Sequence, residues 1–463
     1  MIKLAILTPK QKFAYSICRF GTSIFMNVVT LALFYIYDQE FGLSEGSFLN
    51  ATALAVGKVV IAFSGFIFGY ISDILPASKI GRRKIFIWIG APLLALSFVM
   101  LFTPNLIIPN AGLYGIFTWL LIWNAMFNLF YGFLLTPYQS WMTEITTEND
   151  RLQMSSFQNV TNVTSTLLGT GFAFLLPGIL HLDDGLNLKT SLILLGIVLA
   201  FAVIEIVTFL PALLTIKEAP VERKERNIWR EFRIALTNKN YVIWFIAQGI
   251  YSMGLTLITG LVLIFADSIL GMTSIYQTII FGLSIFVTLM VCFLAWNKIA
   301  KRIGKKWSLI IGFGILIMVL PFSMIFKIIP EQYIEYIGYL YGFLVGVGLS
   351  APYLFPYAII ADIADLDERV TSESRSGMYN GFNSIPLNIF QALATLLVGF
   401  LAAGGEYEFR LYWFGPIAAG FILLAIPILW FGDFDPFLNK IKPEFENSTE
   451  ESTPNDNKGE DIA

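Results

Sequence analysis

One lysine, Lys58, stands inside an apolar run, between Val56-Gly57 and Val59-Val60. A cation at that depth in a bilayer costs about 3 kcal/mol unless a partner or water takes up the charge. The run from Ser47 to Ser72 contains no acid. Lys58 is therefore expected to neutralise an anionic group of a cargo, to occupy the place of a transported cation, or to carry a proton. The structural alternative is a lysine that snorkels to the interface or bonds backbone carbonyls.

Two polar stripes accompany it. Ser155, Asn159, Asn162 and Thr166, with Gln158 alongside, recur every three or four residues in one apolar run, and Asn380, Ser384, Asn388 and Gln391 do so in another. That period places each set on one face of a helix. Amides and hydroxyls both donate and accept hydrogen bonds, which suits a neutral polyhydroxylated ligand such as a sugar. Tyr131, Trp123, Tyr251, Tyr353 and Tyr357 could stack on its apolar faces, and Asn27, Asn128 and Gln248 add further amides within apolar runs. The competing reading is that the amides only join helices and the aromatics only pack. Arg19 is expected at an inner vestibule, and Glu205 at a helix contact or boundary.

Enzyme signatures are missing. The only histidine, His181, lies in the segment HLDDGLN beside Asp183 and Asp184, so neither a two-histidine metal site nor a Ser-His base pair is available. There is no Gly-Lys-Ser/Thr phosphate loop. No metal or cofactor is implied. A net charge of −3 argues against nucleic acid as partner. Cys18 and Cys292 both fall in apolar runs and are expected to be buried thiols.

The elements that must position these residues follow from composition. The chain has 463 residues, 56% hydrophobic and 14% charged, against about 25% charged in a soluble domain. Apolar runs of about 20 residues recur throughout, each long enough to cross a hydrocarbon core about 30 Å thick. The reading is an all-α membrane protein of about twelve transmembrane helices. These run near 13 to 37, 47 to 72, 85 to 103, 112 to 138, 153 to 180, 190 to 214, 241 to 266, 274 to 297, 307 to 328, 333 to 360, 376 to 402 and 410 to 432. The charged segment between the sixth and seventh divides residues 1–214, an N-terminal six-helix bundle, from 241–432, a C-terminal one. Residues 215–240 form a cytoplasmic linker, and the acidic stretch 433–463 is expected to be a disordered cytoplasmic tail.

Basic residues set the orientation. Loops on the side of the N-terminus hold Lys79, Arg82, Arg83 and Lys84, then Arg151, the basic linker, the run Lys298 to Lys306, Arg369 and Arg375. Opposite loops hold only Lys189, Lys327 and Arg410. Cytoplasmic loops retain Lys and Arg, so both termini are expected in the cytoplasm, with the chain in the cell membrane. The pattern is also doubled. GYISDILPASKIGRRK, from Gly69 to Lys84, is echoed about 220 residues later by WNKIAKRIGKK, a spacing typical of internal repeats in transporters. Thr136-Pro137-Tyr138 before Glu144 pairs likewise with Ala351-Pro352-Tyr353 before Asp362. Proline at these points is expected to end or kink the fourth helix of each half. Equivalent polar stripes in two halves imply a central aqueous cavity.

These motifs resemble the major facilitator superfamily. GYISD…GRRK is similar to its loop signature between the second and third helices, with seven residues instead of fewer between Asp73 and Gly81. TPYQSWMTEIT with Arg151, and APYLFPYAIIADIADLDERVTSESRSGMYNGF, resemble its glycoside-pentoside-hexuronide:cation symporter branch, the melibiose permease relatives. The resemblance implies two bundles that rock about a central site. It makes Asp73 with Arg82 and Arg83, Glu144 with Arg151, and Asp362 and Asp365 with Arg375 the elements of a gate. Departures fall on the coupling site. The branch's paired cation-binding aspartates are replaced by Ile61 and Gly65, while a basic residue of that helix is matched by Lys58. The sugar-binding acids fall near Ser23 and at Leu135, and the eleventh-helix lysine near Asn388 or Ile389. The resulting expectation is a secondary transporter of a sugar or glycoside, neutral or anionic. Its coupling would be to protons or absent, because sodium wants anionic oxygen ligands. The rivals are a carrier of lysolipid or another amphipathic solute, and a receptor-like membrane protein without flux.

Overall fold

A computed structural model describes residues 7–75, 81–146, 148–180, 187–218, 228–371, 376–403 and 407–434. Among them the chain is helical: α1 Pro9–Ser16, α2 Arg19–Gln39, α3 Ser47–Ile74, α4 Lys84–Leu101, α5 Pro104–Ile107, α6 Leu113–Ile145, α7 Glu148–Leu180, α8 Leu188–Thr215, α9 Ile228–Thr237, α10 Lys239–Ile264, α11 Ile275–Ile303, α12 Lys305–Val319, α13 Glu331–Leu354, α14 Pro356–Thr371, α15 Ser376–Ala402, α16 Tyr407–Leu411 and α17 Phe414–Trp430. Twelve spans are long and apolar enough to cross a membrane. An even number returns the chain to the side from which it starts, here called the terminal side.

Two spans are composite. The first breaks at Ile17-Cys18 between α1 and α2, and the tenth at Phe355, because Pro356 has no N–H to continue the ladder. Pro137 and Pro352, by contrast, do not end their helices. α6 runs through Pro137 to Ile145, and α13 runs past Pro352 to Leu354. The tenth span reaches from Glu331 to Thr371, about 60 Å at 1.5 Å per residue and twice the hydrocarbon thickness. Asp362 and Asp365 therefore stand on helical turns beyond the lipid core, where the sequence suggested loop.

Each half anchors its third span in the same way. Gly81 and Gly304 precede α4 and α12 with φ of +116° and +91°, values only glycine adopts without strain. The lysines that follow reach the carbonyl end of the sixth helix of their own half: Lys84 Nζ donates to Leu213 O at 2.8 Å, and Lys306 Nζ to Trp430 O at 2.9 Å and Gly432 O at 2.8 Å. Those carbonyls have no acceptor role left inside their helix, so the cation satisfies them and complements the helix dipole. In the first half the anchor is tighter. Glu218, just past α8, accepts from the backbone N–H groups of Arg82, Arg83 and Lys84 at 2.5, 2.9 and 2.7 Å and so caps α4.

α3 packs along α6 in its own bundle and along α15 across the seam between bundles. On the side away from the termini that seam is shut by backbone contact. A β-carbon built at Gly399 would lie 2.3 Å from Ala51 Cβ, one at Gly178 2.8 Å from Ile275 Cα, and one at Gly282 2.7 Å from Phe174 Cγ. Ser47 Oγ also donates to Ala402 O at 3.2 Å. The α3–α15 contact continues toward the terminal side as far as Phe66 and Phe382, 5.7 Å between ring centroids.

Removing the Glu218 carboxylate should uncap α4. Glu218→Ala is expected to cost about 1–2 kcal/mol, the range for a lost charged cap, and Glu218→Gln less. Thermal unfolding in detergent reads this as melting temperatures ranked wild type, Gln, Ala; an alanine variant that melts with the wild type would show that the cap carries no stability.

Candidate substrate site and gate

Lys58 is half-buried in α3, and among the described residues its ammonium has no hydrogen-bond or ion-pair partner. Its position is set by Gly57. A β-carbon there would lie 2.2 Å from Asn124 Nδ2 and 2.6 Å from Asn128 Nδ2, so α6 presses on α3 at Gly57 and the next residue turns away from the contact. The amides themselves are engaged. Asn124 Nδ2 donates to Ala53 O at 2.8 Å, and Asn128 Nδ2 to Asn124 O at 2.8 Å and Asn124 Oδ1 at 3.0 Å. The Asn128 side chain is buried and bonds within α6, where it holds Asn124, the residue whose amide joins α6 to α3.

The two polar stripes differ in the same way. On α7, Asn162 Oδ1 accepts from Ser23 Oγ at 2.7 Å, Thr166 Oγ1 from Asn27 Nδ2 at 3.2 Å, and Gln158 Nε2 donates to Tyr138 OH at 2.8 Å. These bonds tie the fifth span to the first and fourth, as amides do in lipid. Asn159 is exposed. On α15, Ser384 and Asn388 are half-buried and bond only to carbonyls of their own helix, Gly381 O at 3.1 Å and Ser384 O at 2.7 Å. The α15 stripe thus keeps free polar capacity that most of the α7 stripe has used. The side chains of Asn380, Asp73, Glu144 and Arg151 lie outside the described residues, as do Arg375 and the segment holding His181.

Tyrosines of both halves lie within electrostatic range of one another. Tyr357 of α14 is close enough to interact electrostatically with Tyr131 of α6 and with Tyr251 of α10, and Arg19 acts on Tyr131 as well. Tyr353 and Tyr357 are 46% and 78% exposed. Tyr251 and Gln248 are buried, and Tyr251 OH, Gln248 Oε1 and Asn383 Oδ1 have no hydrogen-bond partner. With Trp244 Nε1, four orphaned polar atoms lie on α10 and α15 among the described residues, an unusual number for a native interior.

Two of the gate residues have described side-chain contacts, each within its own bundle. Arg83 is buried and donates to Ser72 Oγ, and Asp362 is ion-paired with Lys305. Neither contact crosses the seam. Besides Ser47 to Ala402, a second described polar bond crosses it, one the residue types did not single out: Tyr35 OH of α2 donates to Asp267 Oδ2 at 3.1 Å. Asp267 stands in a single π-helical turn, Phe265–Ile269, at the end of α10. Such a turn re-aims a side chain and often marks a functional site. Glu218 was equally hidden; its signal is an acid just past the sixth helix in a chain whose third helix begins after a left-handed glycine.

A model of the MFS/sugar transport protein family matches residues 14–430. The chain belongs to that family. It is a multi-pass membrane protein of the secondary-transporter class and not an enzyme. The isoprimeverose transporter of Lactiplantibacillus pentosus is 22% identical over 96% of this chain and 92% of its own length. The sodium-dependent lysophosphatidylcholine symporter 1 of Xenopus tropicalis is 20% identical over 71% of this chain and 69% of its own. Among solved structures, a bacterial homolog of the human lysosomal transporter Spinster, inward-facing and unoccupied, superposes with a TM-score of 0.64 over 95% of this chain and 99% of that one, at 12% identity. Twelve spans in two bundles are thus the fold of this family, as the motifs implied.

Tyr35→Phe removes one of the two described seam-crossing hydrogen bonds on the far side. A single hydrogen bond is worth about 1 kcal/mol, so the closed population should fall about fivefold relative to the open one. In a background without Cys18 and Cys292, a cysteine at Asn27→Cys should then be alkylated faster by an impermeant reagent added from the side opposite the termini. An unchanged rate would mean that the glycine packing and the Ser47–Ala402 bond close this end without Tyr35.

Proposed function

We propose that this transporter moves a sugar or glycoside by alternating access, with an anionic group of the cargo read by Lys58. The observation that carries the proposal is the partner-free ammonium of Lys58, half-buried beside the seam. A cation in that position gains most from a ligand that brings the opposite charge. Ser384 and Asn388 of α15 would serve the hydroxyls, and Tyr131, Tyr353 and Tyr357 the apolar ring faces. The isoprimeverose transporter among its relatives supports a saccharide cargo. The far side of the seam is closed, so the site would load or unload from the terminal side in this state.

Coupling follows from what the second span lacks. Ile61 and Gly65 stand where a carboxylate pair would bind a cation, and sodium has no anionic oxygen there. We therefore favour proton coupling, or none, over sodium. The N-terminal bundle, the linker from 215 to 240 and the C-terminal bundle would act as two rocking bodies and their tether. Both termini would lie in the cytoplasm, with the chain in the cell membrane. A second reading, an amphipathic cargo such as a lysolipid, draws support from the sodium-dependent lysophosphatidylcholine symporter.

Proteoliposomes offered labelled methyl glucoside, methyl glucuronide and lysophosphatidylcholine separate these readings. Glucuronide uptake should exceed glucoside uptake, and Lys58→Ala should abolish it or reverse the preference. Equal uptake by wild type and Lys58→Ala would return Lys58 to a structural role, and transport of the lysolipid alone would establish the second reading. Imposed gradients test coupling: accumulation driven by sodium would contradict the assignment drawn from Ile61 and Gly65.

A further inference from the structure

Glu205 lies within α8 with none of its surface exposed, and neither carboxylate oxygen has a hydrogen-bond partner among the described residues. Its surroundings are built around it. A β-carbon at Gly21 of α2 would lie 2.3 Å from Glu205 Oε2 and 2.5 Å from its Cα, so only glycine lets the first span pass this carboxyl. A carboxylate enclosed in this way without a cation, a donor or water is strongly disfavoured, whereas the protonated acid is tolerated. Glu205 therefore holds a proton in this state.

The groups around it leave one source of compensating charge. From α2, Cys18 is within electrostatic range, but its thiol is directed at Ala14 O and Thr208 O. From α1, Tyr15 donates to Tyr138 O, and from α6, Tyr138 donates back to Tyr15 O. Tyr131, also on α6, is neutral. On α4 the nearest titratable group is Lys84, bonded to Leu213 O two turns along α8. That leaves Arg19, always charged. It is half-buried, makes no hydrogen bond or ion pair among the described residues, and shares with Glu205 an electrostatic influence on Tyr131. Arg19 opens α2 directly after the break at Ile17-Cys18, so a change at the break moves its side chain relative to α8.

We propose that Glu205 is a proton-binding site of the transport cycle, loaded in this state and emptied when Arg19 closes on the carboxylate. The proton passes to water at the terminal side, and the pair formed with Arg19 leaves no bare charge behind. The proposal rests on the proton-coupled reading above and assigns its carrier to the sixth span.

Infrared spectroscopy of the protein in lipid at neutral pH tests occupancy without transport. Wild type should show the carbonyl band of a protonated carboxylic acid, and Glu205→Gln, which preserves shape and packing, should lack it. In proteoliposomes with labelled methyl glucuronide, a pH gradient should drive accumulation by wild type. Glu205→Gln should lose that accumulation and keep exchange of labelled for unlabelled solute at equal pH. Absence of the band in wild type overturns the site, and so does a Gln variant that still accumulates solute. A wild-type band without any response to the pH gradient refutes the coupling reading, and with it the role in the cycle, independently of the site.

Discussion

A polar group left bare in hydrocarbon is expensive, and nearly every feature of this chain can be traced to how that cost is met. Helix ends are the commonest case. In both halves a lysine at the start of the third span reaches back to the carbonyls that end the sixth, as Lys84 does to Leu213 O and Lys306 to Trp430 O and Gly432 O. Glu218 meets the complementary need at the start of α4, where three N–H groups have no intrahelical acceptor. These contacts lie at the end of the bundle that bears the charged loops. They hold each half as one body, which any rocking motion requires.

Against that background the groups that are not compensated stand out. Lys58, Arg19 and Glu205 are charged or ionisable, sit within spans, and have no hydrogen-bond or ion-pair partner among the described residues. Gln248, Tyr251 and Asn383 each leave a buried polar atom orphaned on the inner helices of the C-terminal half. A protein that satisfies its helix ends so thoroughly has kept these in reserve. The surplus capacity is what a polar cargo and a proton would use, and its division between the two halves lets one event on each side of the seam bias the whole.

The seam is controlled by different physics. Glycines at 178 and 399 allow backbones of opposite bundles to touch and Gly282 admits the Phe174 side chain, a form of association that works in lipid because close van der Waals packing replaces the missing hydrophobic drive. Two hydrogen bonds, Tyr35 to Asp267 and Ser47 to Ala402, add direction to it. Contacts of this kind are short-ranged and many, so the far side opens or shuts as a unit.

Residue types and spacing were enough to establish the class, the span count and the doubling, because the cost of charge in lipid acts on each residue almost independently of its neighbours. Lys58 was legible for the same reason, and so were the basic loops. Which polar residues are spent on packing and which stay available was not. Asn162 and Thr166 read like Ser384 and Asn388 along the chain, yet the first two bond to side chains of another helix while the last two reach only their own. Glu205 reads along the chain as a helix-contact or boundary residue, but that it is wholly enclosed against Gly21 belongs to the packing, and the bond between Tyr35 and Asp267 joins residues 232 positions apart. Helical period fixes the face on which a side chain stands. Only the packing of twelve spans decides what that face meets.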